Sequence, residues 1–175
     1  MGSFKQLDDF FLKFDQDFLK KQVPNIIAEK ATAYFKERFT TKEWDGAPWP
    51  DVKKPVRRGT LLFRGGNLRN SIKPKTVTES KVVISAGSDK VPYARAHNEG
   101  ETISIPVTAK MKKFAWAMHY KEAGSDKKAF TPWKGLALTK KEKLTVNMPE
   151  RRFMGHSDRL NNIIIAAIKG AFKNL

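Results

Sequence analysis

Ile72-Lys73-Pro74-Lys75-Thr76-Val77-Thr78-Glu79-Ser80-Lys81-Val82-Val83-Ile84-Ser85-Ala86-Gly87 is the stretch that separates a mixed fold from an all-helical one. Val82, Val83 and Ile84 are β-branched and follow Thr78-Glu79-Ser80, a polar triplet of turn character. The segment therefore predicts a hairpin over 72–87 with its return strand ending near Ala86. A second strand pair follows. Thr102 to Val107 alternates apolar and polar, and Leu144 to Met148 is its natural antiparallel partner. Between the two pairs, Pro92 to Asn98 predicts a short helix that Gly100 ends as a C-cap.

Outside this β-rich centre the periodicity becomes helical. Ser3 with Gln6 has the form of a capping box, and Phe4, Leu7, Phe10, Phe11, Phe14 and Phe18 recur at three- and four-residue steps. That spacing predicts a helix with one aromatic face. Pro24 predicts the start of a second helix, because the first turn needs no proline N–H. Its buried stripe runs through Ile27, Ala31, Tyr34 and Phe35 towards Phe39, with Glu29, Lys30, Lys36 and Glu37 on the solvated side. Asp45-Gly46-Ala47-Pro48-Trp49-Pro50 forbids helix, and Trp44 and Trp49 are expected to pin this loop by packing. At the far end, Ser157 caps a final helix whose apolar face is Leu160, Ile163, Ile164, Ala167, Ile168, Ala171 and Phe172.

The 175 residues are enough for one domain with a real core. The expected fold class is α+β, with N-terminal helices and a C-terminal helix packed on a small antiparallel sheet. Its parts are a helical region over 1–40, a loop region over 41–71, a β-meander over 72–148 and a closing helix over 156–173. A lysine-rich excursion, 108–143, interrupts the meander between two strands. Either a short helix or an extended arm fits that excursion.

A net charge of +16 is the strongest bulk feature, and two segments hold nearly all of it: 52–75 carries +8 and 108–143 carries +7. Such a field attracts polyanions or an acidic protein surface. The cations expected to face a partner or DNA are Lys53, Lys54, Arg57, Arg58, Arg64, Arg69, Lys110, Lys112, Lys113, Lys127, Lys128, Lys140, Lys141, Arg151 and Arg152. Aromatics interleave the second segment at Phe114, Trp116, Tyr120, Phe130 and Trp133, where they could stack bases while lysines track phosphates. Lysine, however, makes a diffuse field rather than a bidentate base contact, and no helix-turn-helix, zinc-finger or RNP pattern is visible.

The search for chemistry is otherwise empty. With no cysteine there is no disulfide, thiolate metal site or cysteine nucleophile. His97, His119 and His156 are far apart in sequence and form no metal-binding pair. His97-Asn98-Glu99 invites a metal-dependent nuclease reading, yet such a site spreads its residues over a ββα unit rather than one turn. Arg64-Gly65-Gly66-Asn67 lacks the spacing of a nucleotide-binding loop, and its glycines suit a tight turn. The longest apolar run, Ile163 to Ile168, is far short of the roughly 20 residues that span a bilayer. The sequence thus predicts no enzyme, no cofactor, no metal and no membrane contact.

Four segments, taken in order, resemble the virion-morphogenesis (tail-completion) family of Mu-like and P2-like phages. Asp45-Gly46-Ala47-Pro48-Trp49 is similar to that family's Asp-x-x-Gly-x-x-Trp loop, here shortened. Leu62-Phe63-Arg64-Gly65-Gly66-Asn67-Leu68-Arg69-Asn70-Ser71-Ile72 resembles its Thr-Gly-x-Leu-x-x-Ser-Ile element, with Gly65 where threonine is usual. Val91-Pro92-Tyr93-Ala94-Arg95-Ala96-His97-Asn98-Glu99-Gly100 resembles Tyr-Ala-x-x-His-x-x-Gly. Pro149-Glu150-Arg151-Arg152-Phe153-Met154-Gly155 resembles the Pro-x-Arg-x-Phe-hydrophobic-Gly motif before the last helix. The resemblance runs from about residue 25 to the end. It implies a non-enzymatic component of a virion, present in host cytoplasm during assembly, that completes the tail or joins it to the head. It also implies copies arranged in a ring and contacts with tail or head–tail junction proteins. The basic segments leave a non-specific DNA-binding module as the alternative.

Overall fold

The structure, a computed structural model, describes residues 2–52, 59–124 and 131–173, without the side chains of Ser3, Phe4, Gln6 and Phe10. The Ser3–Gln6 capping pair and two members of the expected aromatic face therefore lie outside the described residues. So do Lys53, Lys54, Arg57, Arg58, Lys127, Lys128 and Phe130. The chain divides into two compact units, Met1–Gly100 with Pro149–Leu175, and Glu101–Met148.

In the first unit the expected break between two N-terminal helices is absent. Helix α1 (Gly2–Lys13) runs into a π-helical stretch (Phe14–Gln22) and then into α2 (Val23–Thr41). Pro24 occupies the first turn of α2, where the wider π turn hands over to α spacing and a missing N–H interrupts least. The wider turn brings residues five apart together, so Lys20 Nζ lies 2.7 Å from Asp15 Oδ2. Of the predicted aromatic face, Phe18 is buried and Phe14 half-buried, while Leu7 and Phe11 are exposed. Phe14 and Phe18 stack at 5.5 Å, and Phe172 from the last helix closes on both at 5.6 and 5.9 Å.

Helix α2 supplies Ala31, Tyr34, Phe35 and Phe39 to the core of this unit. Its buried face also carries Arg38, which the hydrophobic stripe does not reveal. Arg38 lies 4.2 Å from the Tyr34 ring centroid and pairs with Glu37 and Glu43. Lys42, in the left-handed region, ends the helix. Strands β1 (Glu43–Trp44) and β2 (Ala47–Pro48) follow as a miniature hairpin turned by Asp45 and Gly46, both at positive φ.

A short helix α3 (Asn67–Asn70) delivers Leu68 and leads to Ile72, which has no exposed surface. The predicted hairpin is present as β3 (Lys73–Val77) and β4 (Val82–Ser85). Its register slips between Pro74 and Thr76, beside a proline that has no N–H to give the ladder. Helix α4 (Ala94–Glu99) and the closing helix α7 (Asp158–Phe172) also stand where the sequence puts them. Ser157 caps α7 by accepting the Leu160 N–H. The β3–β4 hairpin and α7 both pack on α2, around Trp49, Val91, Ala94, Phe153 and Leu160. The class is α+β.

The second unit is a ribbon with helices at one end. Strands β5 (Glu101–Pro106) and β6 (Lys143–Met148) pair in unbroken antiparallel register from Glu101↔Met148 to Pro106↔Lys143. Beyond the Pro106 end, the excursion is helical: α5 (Ala109–Ala123) and α6 (Pro132–Ala137), capped by Thr108 and Thr131. Ala115 is fully buried, Phe114 meets Trp133 edge-on at 5.8 Å, and His119 Nδ1 lies 2.9 Å from Thr131 Oγ1. The continuous meander expected over 72–148 is instead two separate hairpins, because residues between them are drawn into the first unit's core by Val91 and Ala94.

Candidate functional site

In the first unit, the four motif segments meet around residues 149–155. Trp49 Nε1 donates to the Arg152 carbonyl at 2.7 Å, tying the Asp-Gly loop to this strap. Asn98, on α4, brackets the strap from the other side. Its Oδ1 accepts the Phe153 and Met154 N–H groups at 2.9 Å each, and its Nδ2 donates to the Met154 carbonyl at 3.1 Å. The Arg151 N–H donates to the His97 carbonyl. Gly100 must be glycine here: its φ is 70°, and a Cβ would stand 2.8 Å from the Glu150 nitrogen. Phe153, almost fully buried, then joins Leu68, Ile72, Val91 and Ala94 in one core.

Above this knot lies a cavity of about 460 Å³ whose walls come from three of those segments. Val52, Leu61, Leu62, Leu68 and Tyr93 make its apolar walls. Its polar groups are Arg64, Asn67, His97 and Arg151, beside Gly66, which takes φ 75° to turn the chain into α3. Arg151 is only 6% exposed. Its Nε and Nη2 donate to the carbonyls of Pro50 and Asp51 at 2.9 and 3.2 Å; burial lowers its pKa, and the Asp51 carboxylate offsets part of that. Neither Arg151 nor Arg64 has an ion-pair partner among the described residues. His97 is half-buried, and its Nδ1 is buried without a hydrogen-bond partner. Burial, and secondarily the charge of Arg151, lower the His97 pKa, so the neutral imidazole is favoured.

These placements correct part of the expected cationic surface. Arg151 is a buried structural residue that reaches the cavity, not a surface cation. Arg69 is half-buried, donates to the Lys36 carbonyl, and sits 5.8 Å from the Phe63 ring centroid. Arg152 is exposed but pairs with Glu150 at 3.1 Å. Arg64, Lys110, Lys113, Lys140 and Lys141 are exposed, and Lys112 is half-buried. Along α5, Lys110, Lys113, Phe114, Ala117, Tyr120 and Lys121 are all exposed and share the three- and four-residue spacing of one helix face. Lys110 and Lys113 are among the cations the sequence points to, Lys121 is not, and the shared face emerges only because α5 is helical.

The remaining polar cluster is structural. Tyr34 and Ser157 hydroxyls both donate to Asp45 Oδ1, which ties α2 and α7 to the turn of the β1–β2 hairpin. Burial alone would raise the Asp45 pKa, but hydrogen bonds from Ser157 and Tyr34, with Arg38 and Arg159 nearby, hold it below the usual value. Ser157 also caps α7, so its oxygen is fully engaged. His97, Asn98 and Glu99 do not converge: His97 faces the cavity, Asn98 is spent on the strap, and Glu99 pairs with Arg95. Among the described residues, no group of three histidine, aspartate or glutamate side chains is placed to hold a metal ion. No family model, no curated protein and no solved structure matches the chain.

Proposed function

We propose that the chain is a non-enzymatic assembly component of a bacteriophage-like virion, acting in tail completion or head–tail joining. It would work through self-association and through contacts with neighbouring virion proteins. One observation carries this reading: the four segments that resemble the phage family are distant in sequence yet knit into one hydrogen-bonded knot and core. Their shared residues act as scaffold, through an indole tether, an asparagine bracket and a glycine at a tight approach. Inactivating the gene in its parent phage or prophage should leave heads and tails that do not yield infectious particles, with titre restored by a plasmid copy. Normal plaque yield from the inactivated phage would overturn the proposal.

The exposed lysine–aromatic face of α5 favours a second reading, non-specific DNA contact. Its signature is binding to random-sequence duplex or single strands that weakens steeply with salt, since phosphate contacts release counterions. Absence of binding at low salt removes it.

A further inference from the structure

We propose that the cavity between the Arg64–Leu68 turn, α4 and Arg151 is a docking pocket for a carboxylate-bearing peptide segment of a partner protein. The first support is a buried charge. A guanidinium 6% exposed, bonded among the described residues to two backbone carbonyls and only approached by the Asp51 carboxylate, is an expensive arrangement unless an anion pairs with it directly. Arg64 adds a second cation to the same walls, and no acidic side chain is among the described lining residues. Arg151 is oriented by its bonds to the Pro50 and Asp51 carbonyls, and among the described residues no acceptor takes its Nη1. His97 and Asn67 add polar side chains to the same walls.

The shape selects the class of ligand. About 460 Å³ accommodates a few side chains of one strand of polypeptide, and apolar walls from Val52, Leu61, Leu62, Leu68 and Tyr93 reward aliphatic neighbours of the carboxylate. A nucleic-acid backbone calls instead for exposed cations along a groove, and here the central arginine is buried. The carboxylate comes from a glutamate or aspartate side chain or from a chain terminus. This names a partner chemistry for the assembly proposal and rests on it only in taking that partner to be a virion protein.

The test uses the full chain and a dye-labelled hexapeptide of alternating leucine and glutamate, followed by fluorescence anisotropy at low salt. The amidated and free-acid forms separate side-chain from terminal carboxylates, and the leucine–glutamine peptide is the uncharged control. Binding of either acidic form, at least about tenfold weakened by Arg64→Ala and by His97→Gln, is expected, since charge-assisted hydrogen bonds carry that much. The Lys140→Ala/Lys141→Ala double variant, in the other unit, should bind as the parent does. Equal weakening by that double variant would reduce the effect to net charge and overturn the proposal. Indifference to Arg64→Ala would also overturn it, as would displacement of the peptide by a hexathymidylate that binds more tightly. Because the peptide test needs no phage, a failed pocket and a failed assembly role give separate results.

Discussion

Replacing Trp49 by alanine should cost about 4 kcal/mol of stability, the range found when a buried aromatic is truncated. Trp49 is 6% exposed and meets Phe39 edge-on at 5.7 Å, while Phe39 leans on Phe153 at 5.1 Å. Losing the indole opens a cavity at one end of that aromatic row, against Phe39. It also removes the 2.7 Å bond to the Arg152 carbonyl, one of the direct links between the Asp-Gly loop and the strap. Urea unfolding followed by circular dichroism should show a midpoint lower by roughly 2 M, taking about 2 kcal/mol/M for the slope. Trp49→Phe keeps most of the packing but not the N–H, so it should fall between the two. A Trp49→Ala midpoint within about 0.3 M of the parent would mean the loop is not pinned as described.

What the sequence made legible follows from how local each signal is. The 72–87 hairpin, α4 with its Gly100 end and the Ser157 cap are written in adjacent residues, and each stands where it was expected. The β5–β6 pairing is not local, yet the two strands carry matching alternation and pair as expected across the excursion. Pro24 misled because its ordinary role is to begin a helix. Here a π stretch delivers an already formed helix to it, with Asp15 and Lys20 paired across the wider turn. The α5 segment stayed open because lysine, alanine and aromatics leave its apolar period weak, and its partner α6 lies beyond residues 125–130. Arg151 was counted with the surface cations because composition cannot tell a guanidinium that turns inward onto two carbonyls from one in water.

The candidate site was legible only as fragments. Glycine at 66, histidine at 97 and arginine at 151 each stood out in a motif, but their convergence on one cavity depends on tertiary closure. That closure is set largely by Asn98, which the sequence brings to notice only through the nuclease-like His97-Asn98-Glu99 triplet and not as a bracket. Asn98 is suited to its place because its amide offers both an acceptor and a donor, and the strap presents two N–H groups and one carbonyl to it. It also follows His97, whose carbonyl takes the Arg151 N–H, so α4 fixes the strap and the pocket arginine together.

Asn98→Ala should therefore destabilise the first unit by about 3 kcal/mol, since it leaves three backbone groups without partners beside a buried phenylalanine. The nature of that loss can be separated from simple packing. Asn98→Leu restores the side-chain volume and none of the hydrogen bonds, so it should be nearly as damaging as alanine. If leucine recovers most of the stability, the bracket is a space-filler and its hydrogen bonds matter little. Hydrogen exchange gives the local counterpart: in both variants the Phe153 and Met154 amides should lose protection more than those of the β5–β6 ribbon, which belongs to the other unit. Equal loss in both units would place the effect in global unfolding rather than in release of the strap.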